Sequence, residues 1–157
     1  MKNLHYGFDF CPAFWAWIKE SHAEGRVFSV EQVGSEVQAL KDDLSEWAAA
    51  RGSDFFLPPD ETTFPALAKV ASWPQGHYEP SAINTFLQVA DHYLVAQALA
   101  GDHVVVTHEV PSASTRKIKI PDACIGLGVK CMSPFQMLRV EQIAPHLVPK
   151  SGLVFSL

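Results

Sequence analysis

Cysteine is scarce in this chain, and so are the other signals that would assign it quickly. Three cysteines, Cys11, Cys124 and Cys131, stand far apart with no CxxC pair, which argues against a zinc knuckle or a disulfide scaffold and fits reduced thiols in the cytoplasm. The seven histidines include no HExxH or other ligand spacing, and His22, His77 and His146 read as surface residues. No glycine-rich phosphate loop occurs, which ranks a small-molecule-binding α/β protein last. No stretch approaches the roughly 20 apolar residues of a membrane span. Residues 1–20 carry charge and lack the apolar run of a signal peptide. Charged residues make up only 18% of the chain and the net charge is −5, so any nucleic-acid contact must be local.

What is present is apolar mass. Of 157 residues, 48% are hydrophobic and 17 are aromatic, enough for one domain with a sizeable core. The aromatic block Phe8, Phe10, Phe14, Trp15 and Trp17 reads as core rather than as a base-stacking platform.

Helix signals dominate. Pro12 at a first helical position is followed by a helix over 13–22 that Gly25 ends. After a short extended link at 26–28, Ser29 with Gln32 reads as a capping box. The helix it opens carries Val30, Val33, Val37 and Leu40 on one stripe, with Glu31 pointing away and Glu36 at the stripe's edge. Further helices are expected over 43–50, from Thr63 to about Trp73, over 81–89 and 91–100, at 121–127, and from Ser133-Pro134 through Arg139. The β-branched run His103–Thr107 is the best buried strand, with shorter ones expected at 55–57 and 129–132. Residues 111–117 form a polar loop with a basic end, and 140–157 are left unassigned. Helices alternating with short buried strands imply α/β layers.

Against this frame three acids stand out. Glu36 borders an apolar stripe, Asp91 opens the apolar segment Asp91–Ala100, and Glu109 follows the strand candidate. A carboxylate on a buried element must be paired, protonated or bound to a metal. If the three converge, a hard divalent cation is the natural partner, and metal-dependent chemistry on a phosphate ester the first hypothesis. Each has a plainer reading: a solvated helix-edge charge for Glu36, a helix N-cap for Asp91, a strand-end charge for Glu109. Asp122, after Pro121, reads as the cap of a short helix and is a second-tier ligand. Arg116, Lys117 and Lys119 are candidates for holding RNA phosphates, or form a solvated loop.

Several blocks carry a family resemblance: Tyr6-Gly-Phe-Asp-Phe-Cys-Pro-Ala-Phe-Trp15, Gly25-Arg-Val-Phe-Ser-Val30, Ala90-Asp91, Val105-Val-Thr-His-Glu109, Lys119-Ile-Pro-Asp-Ala-Cys124 and Gly128–Leu138. Over residues 5–139 the chain resembles the PIN-domain-like proteins, in the branch catalogued as a domain of unknown function (DUF4411) and related to the ribonuclease toxins of bacterial toxin–antitoxin pairs. The resemblance implies a central parallel sheet flanked by helices on both faces. It implies Mg²⁺ or Mn²⁺ held by acids at the strands' carboxyl ends, with Glu36, Asp91 and Glu109 as ligands and Thr107 as the usual neighbour of the last. It further implies an RNA substrate, an antitoxin partner and, in many relatives, a homodimer. The pattern's opening strand, of the form Leu-Leu-Asp-Thr/Ser-Asn, has no counterpart here, and Asp9 sits downstream of its place. The expectation is therefore a PIN-like domain over 1–139 that lacks a core strand and one acid, through a late start codon or a truncated gene, with a sheet edge open to a partner strand. Two functions follow: a metal-dependent endoribonuclease, or a catalytically inactive module that binds an antitoxin-like partner.

Overall fold

A computed structural model describes residues 7–9, 11–143 and 152–157. Phe10 and His146 lie outside the described residues.

Five short strands form one parallel sheet: β1 (Val27–Val30), β2 (Phe56–Leu57), β3 (Val104–Val106), β4 (Lys130–Met132) and β5 (Leu153–Phe155). Their order is β2-β1-β5-β3-β4. All residues of β1, β3 and β5 are buried, which explains why the middle of the sheet reads as unbroken apolar sequence rather than as alternation. The chain is thus an α/β protein. No described helix is long and apolar enough to cross a membrane.

The helices are α1 (Pro12–Ala23), α2 (Glu31–Gln38), α3 (Asp43–Arg51), α4 (Thr63–Ser72), α5 (Pro80–Gln88), α6 (Asp91–Gly101), α7 (Ile120–Leu127) and α8 (Pro134–Ile143). Their starts follow local chemistry. Proline occupies the first turn of α1, α5 and α7, where its missing N–H costs nothing. Asp42 accepts from the Ser45 amide to cap α3, and Ser133 and Gln136 exchange side-chain bonds at the start of α8. Gly25, at φ +72°, turns the chain out of α1 into β1. Helix α6, buried on several sides by α4, α7 and the sheet, is the central helix of the layer carrying Asp91.

Three expectations are corrected. Ser29 does not cap α2: it lies within β1, the N-cap position belongs to Val30, and the Ser29 hydroxyl donates to the Phe155 carbonyl at 2.6 Å. The link at 26–28 is the start of a core strand, because β5 and β2 pair with it from elsewhere in the chain. His22 is half-buried, with Nδ1 2.9 Å from the Val27 carbonyl oxygen and the ring edge-on to Phe55. The aromatic block packs as core: Phe14 is buried, and Phe8, Trp15 and Trp17 lie against it.

The unassigned C-terminal region joins the same body. Helix α8 runs past Arg139 to Ile143, and β5 takes the central place in the sheet, between β1 and β3. The sequence suggested a missing core strand and an open sheet edge; among the described residues the central place in the sheet is held by Leu153–Phe155. Glu141 reinforces this end, accepting from Arg26 at 2.8 Å and from the Trp17 indole at 3.4 Å.

A candidate acidic site at the carboxyl ends of the strands

Helix α2 follows β1 directly, so its first turns stand at the carboxyl end of that strand. Gly34 lets α2 close on β2: a Cβ there would lie 2.8 Å from the Phe56 ring. With Val33 and Val37 buried, Glu36 falls beside the packed face and remains exposed. Its Oε1 accepts from the Ala90 amide at 2.8 Å, tying α2 to the first turn of α6. The partner that satisfies this helix start is therefore Glu36 rather than Asp91.

Asp91 is the first residue of α6 and is half-buried. Its carboxylate makes no hydrogen bond or ion pair among the described residues. Burial first, then repulsion from Glu109 and Glu36, push its pKa up to about 6, against the weaker pull of Lys119 and Lys117.

Glu109 is reached by a turn after β3. The buried Thr107 hydroxyl accepts from the Glu109 amide at 3.1 Å and fixes that turn. Both Glu109 oxygens are engaged: Oε1 with Lys119 Nζ at 2.9 Å, Oε2 with the Ile120 amide at 2.8 Å. Glu109 thus anchors the start of α7, and it raises the pKa of Lys119 by hydrogen bonding and charge.

Glu36, Asp91 and Glu109 line one cavity of about 330 Å³. Val33, Leu94 and Ile120 are among its apolar walls, and Ser156 and Leu157, just past β5, close it from the middle of the sheet. The three acids singled out in the sequence do converge, from three different elements.

The other candidates fall outside this cavity. Asp122 caps α7, with Oδ2 accepting from the Lys119 amide at 3.2 Å and Oδ1 from the Ser112 amide at 2.9 Å. Lys119 is an internal counter-ion to Glu109, while Arg116 pairs with Glu79 at 3.2 Å in solvent and Lys117 is exposed. Thr107 orients the Glu109 turn and borders a second, adjoining groove. Sequence reasoning missed that groove and the part that Ser156 and Leu157 play. No local pattern in the sequence marks either, since Phe135, the exposed aromatic at the groove, is told apart from the buried Pro134 and Met137 only by the fold.

Among the described residues no group of three or more His, Cys, Asp or Glu forms a ready metal-ligand set. In kind the donors still fit a hard cation: the Asp91 carboxylate and the second oxygen of Glu36 make no hydrogen bond among the described residues, and burial followed by the neighbouring carboxylates disfavours the charge on Asp91. Glu109 would first have to share or release Lys119.

Fold and site together define a parallel α/β domain with a carboxylate-lined pocket at the carboxyl ends of its strands, where open sheets of this class bind ligands. More particularly, the chain belongs to the family described as a domain of unknown function (DUF4411), which matches residues 1–144. No curated protein and no solved structure matches it.

Proposed function

We propose that the chain is a PIN-like, Mg²⁺- or Mn²⁺-dependent endoribonuclease of the toxin type, acting at the Glu36–Asp91–Glu109 pocket and held in check by an antitoxin-like partner. The observation that carries this reading is the convergence of three carboxylates, from α2, α6 and the turn after β3, on one cavity at the strands' carboxyl ends. When bound, a divalent cation supplies charge neutralisation for a leaving oxygen and a lowered water pKa. Asp91 and Glu36 would hold it, with Glu109 as the third ligand. Asp91, its pKa pushed up to about 6, is largely ionised at neutral pH. Lys119 neutralises Glu109, and the exposed Lys117, whose charge is felt at Asp91, supplies a cation near the pocket for phosphates.

A second reading, the inactive interaction module, is favoured by two features. Both Glu109 oxygens already have structural partners, and the residues entering the pocket from β5 are Ser156 and Leu157 rather than an acid.

The test is cleavage of a mixed RNA pool with Mn²⁺, beside EDTA and an Asp91→Asn control. Cutting that vanishes in both controls supports the nuclease. A folded chain that cuts nothing selects the interaction module.

A further inference from the structure

The groove adjoining the acidic pocket shares Glu109 with it and extends over α7, β4 and α8. Its volume, about 640 Å³, lies within the range of small-molecule sites, on the order of 300–1,000 Å³. Of the five exposed large hydrophobic residues described, three border this groove: Val110 at 72% exposure, Ile125 at 71% and Phe135 at 55%. Apolar side chains concentrated around one groove mark a binding surface more than chance exposure does.

The charge in the groove narrows the occupant. Glu109 is neutralised by Lys119, whereas Arg139 is exposed and makes no ion pair among the described residues. The groove is therefore apolar with a net positive rim, unlike the acidic pocket beside it. Phe135 and Arg139 are four residues apart on α8, so ring and guanidinium are neighbours on one helix face. His108, on the turn that carries Glu109, meets the Phe135 ring at 5.7 Å between centroids and 73° between planes, which sets the ring's orientation. An oriented aromatic ring beside a cation is the arrangement that takes a base on the ring and its phosphate on the charge.

We propose that this groove is a nucleotide subsite for single-stranded RNA: Phe135 stacks the base next to the scissile phosphate, and Arg139 holds that nucleotide's own phosphate. The inference rests on the ribonuclease reading of the adjoining pocket. Stacking is indifferent to base identity, so the subsite selects unpaired strands over duplexes rather than one sequence over another.

The experiment measures binding apart from cleavage: fluorescence anisotropy of a short labelled single-stranded RNA of mixed sequence, in EDTA at low salt. Phe135→Ala is expected to weaken binding about tenfold, as for the loss of one stacked base, and Phe135→Trp to preserve it. Arg139→Gln is expected to weaken binding and to flatten its salt dependence by about one phosphate contact. The replaced side chains are exposed, so folding is not at stake. Binding unchanged by Phe135→Ala, or no binding by the natural chain, overturns the subsite. So does self-association or partner capture that disappears with Phe135→Ala while RNA stays unbound, which would make the groove a protein interface. Phe135-dependent binding with no Mn²⁺ cleavage would uphold the subsite and sink the nuclease. Asp91-dependent cleavage with unaltered KM in Phe135→Ala would do the reverse.

Discussion

The two walls of the acidic pocket treat their carboxylates in opposite ways. On the wall made by the turn after β3, Glu109 has a cation on one oxygen and an amide on the other. On the wall made by α6, Asp91 has neither among the described residues, and its pKa rises to about 6. The same chemical group is hydrogen-bonded in one place and without such a bond among the described residues in the other, where burial first and then the neighbouring carboxylates raise its pKa. Glu36 lies between these extremes, with one oxygen spent on the Ala90 amide. A pocket in which every acid was satisfied would be an ordinary polar cluster. This one keeps a half-buried carboxylate at an energetic cost, which is the pattern expected where charge is held for a ligand.

The contrast can be broken from below by the strand beneath both walls. Phe155→Ala empties a fully packed position in β5 and is expected to cost about 3–5 kcal/mol in urea unfolding. Because β5 pairs with both β1 and β3, both walls should loosen together. Lys119→Met strikes one wall alone. It leaves Glu109 half-buried without its cation, and unfolding should register a loss of about 2 kcal/mol. It also removes a charge that restrains Asp91, so the Asp91 pKa, followed by carboxyl NMR shifts, should move further up.

Asp91→Asn sharpens the contrast from the other side. A carboxyl whose folded pKa is raised favours the fold while protonated, and that contribution fades as pH rises from 3.8 through about 6. The natural chain therefore bears the cost of an ionised Asp91 at neutral pH, and the asparagine variant does not. The variant should be the more stable by about 1–2 kcal/mol at neutral pH, with the gap closing below the unfolded pKa. Denaturant curves across that window read it directly, and a pH-independent gap would contradict the raised pKa. The smallest effect is expected at Arg116→Ala, whose partner Glu79 sits in solvent; unfolding should not change measurably.

Much of this was legible in the sequence wherever a local rule sufficed. Pro12 and the Ser133-Pro134-Gln136 set marked helix starts, and the β-branched run ending at Thr107 marked β3. The three acids were visible because each broke an apolar stretch. What failed were the long-range pairings. Ser29 with Gln32 matches a capping box in isolation, but Ser29 pairs with Phe56 of β2 and its hydroxyl is taken by the Phe155 carbonyl 126 residues later, and these long-range partners override the local preference. The central place of β5 was hidden for the same reason, since Leu153–Phe155 are too few to show a period. Lys119 looked like a surface phosphate contact because nothing in its own segment points to Glu109, ten residues back across the loop.

The proposal that stands or falls first is that Glu36, Asp91 and Glu109, which line one cavity, together hold a divalent cation. The most direct measurement is paramagnetic broadening of the backbone amide spectrum by Mn²⁺ added in small amounts. The account predicts broadening centred on the amides of Ala90, Asp91 and Ile120, abolished by Asp91→Asn. Broadening centred elsewhere, or unmoved by that substitution, would contradict it.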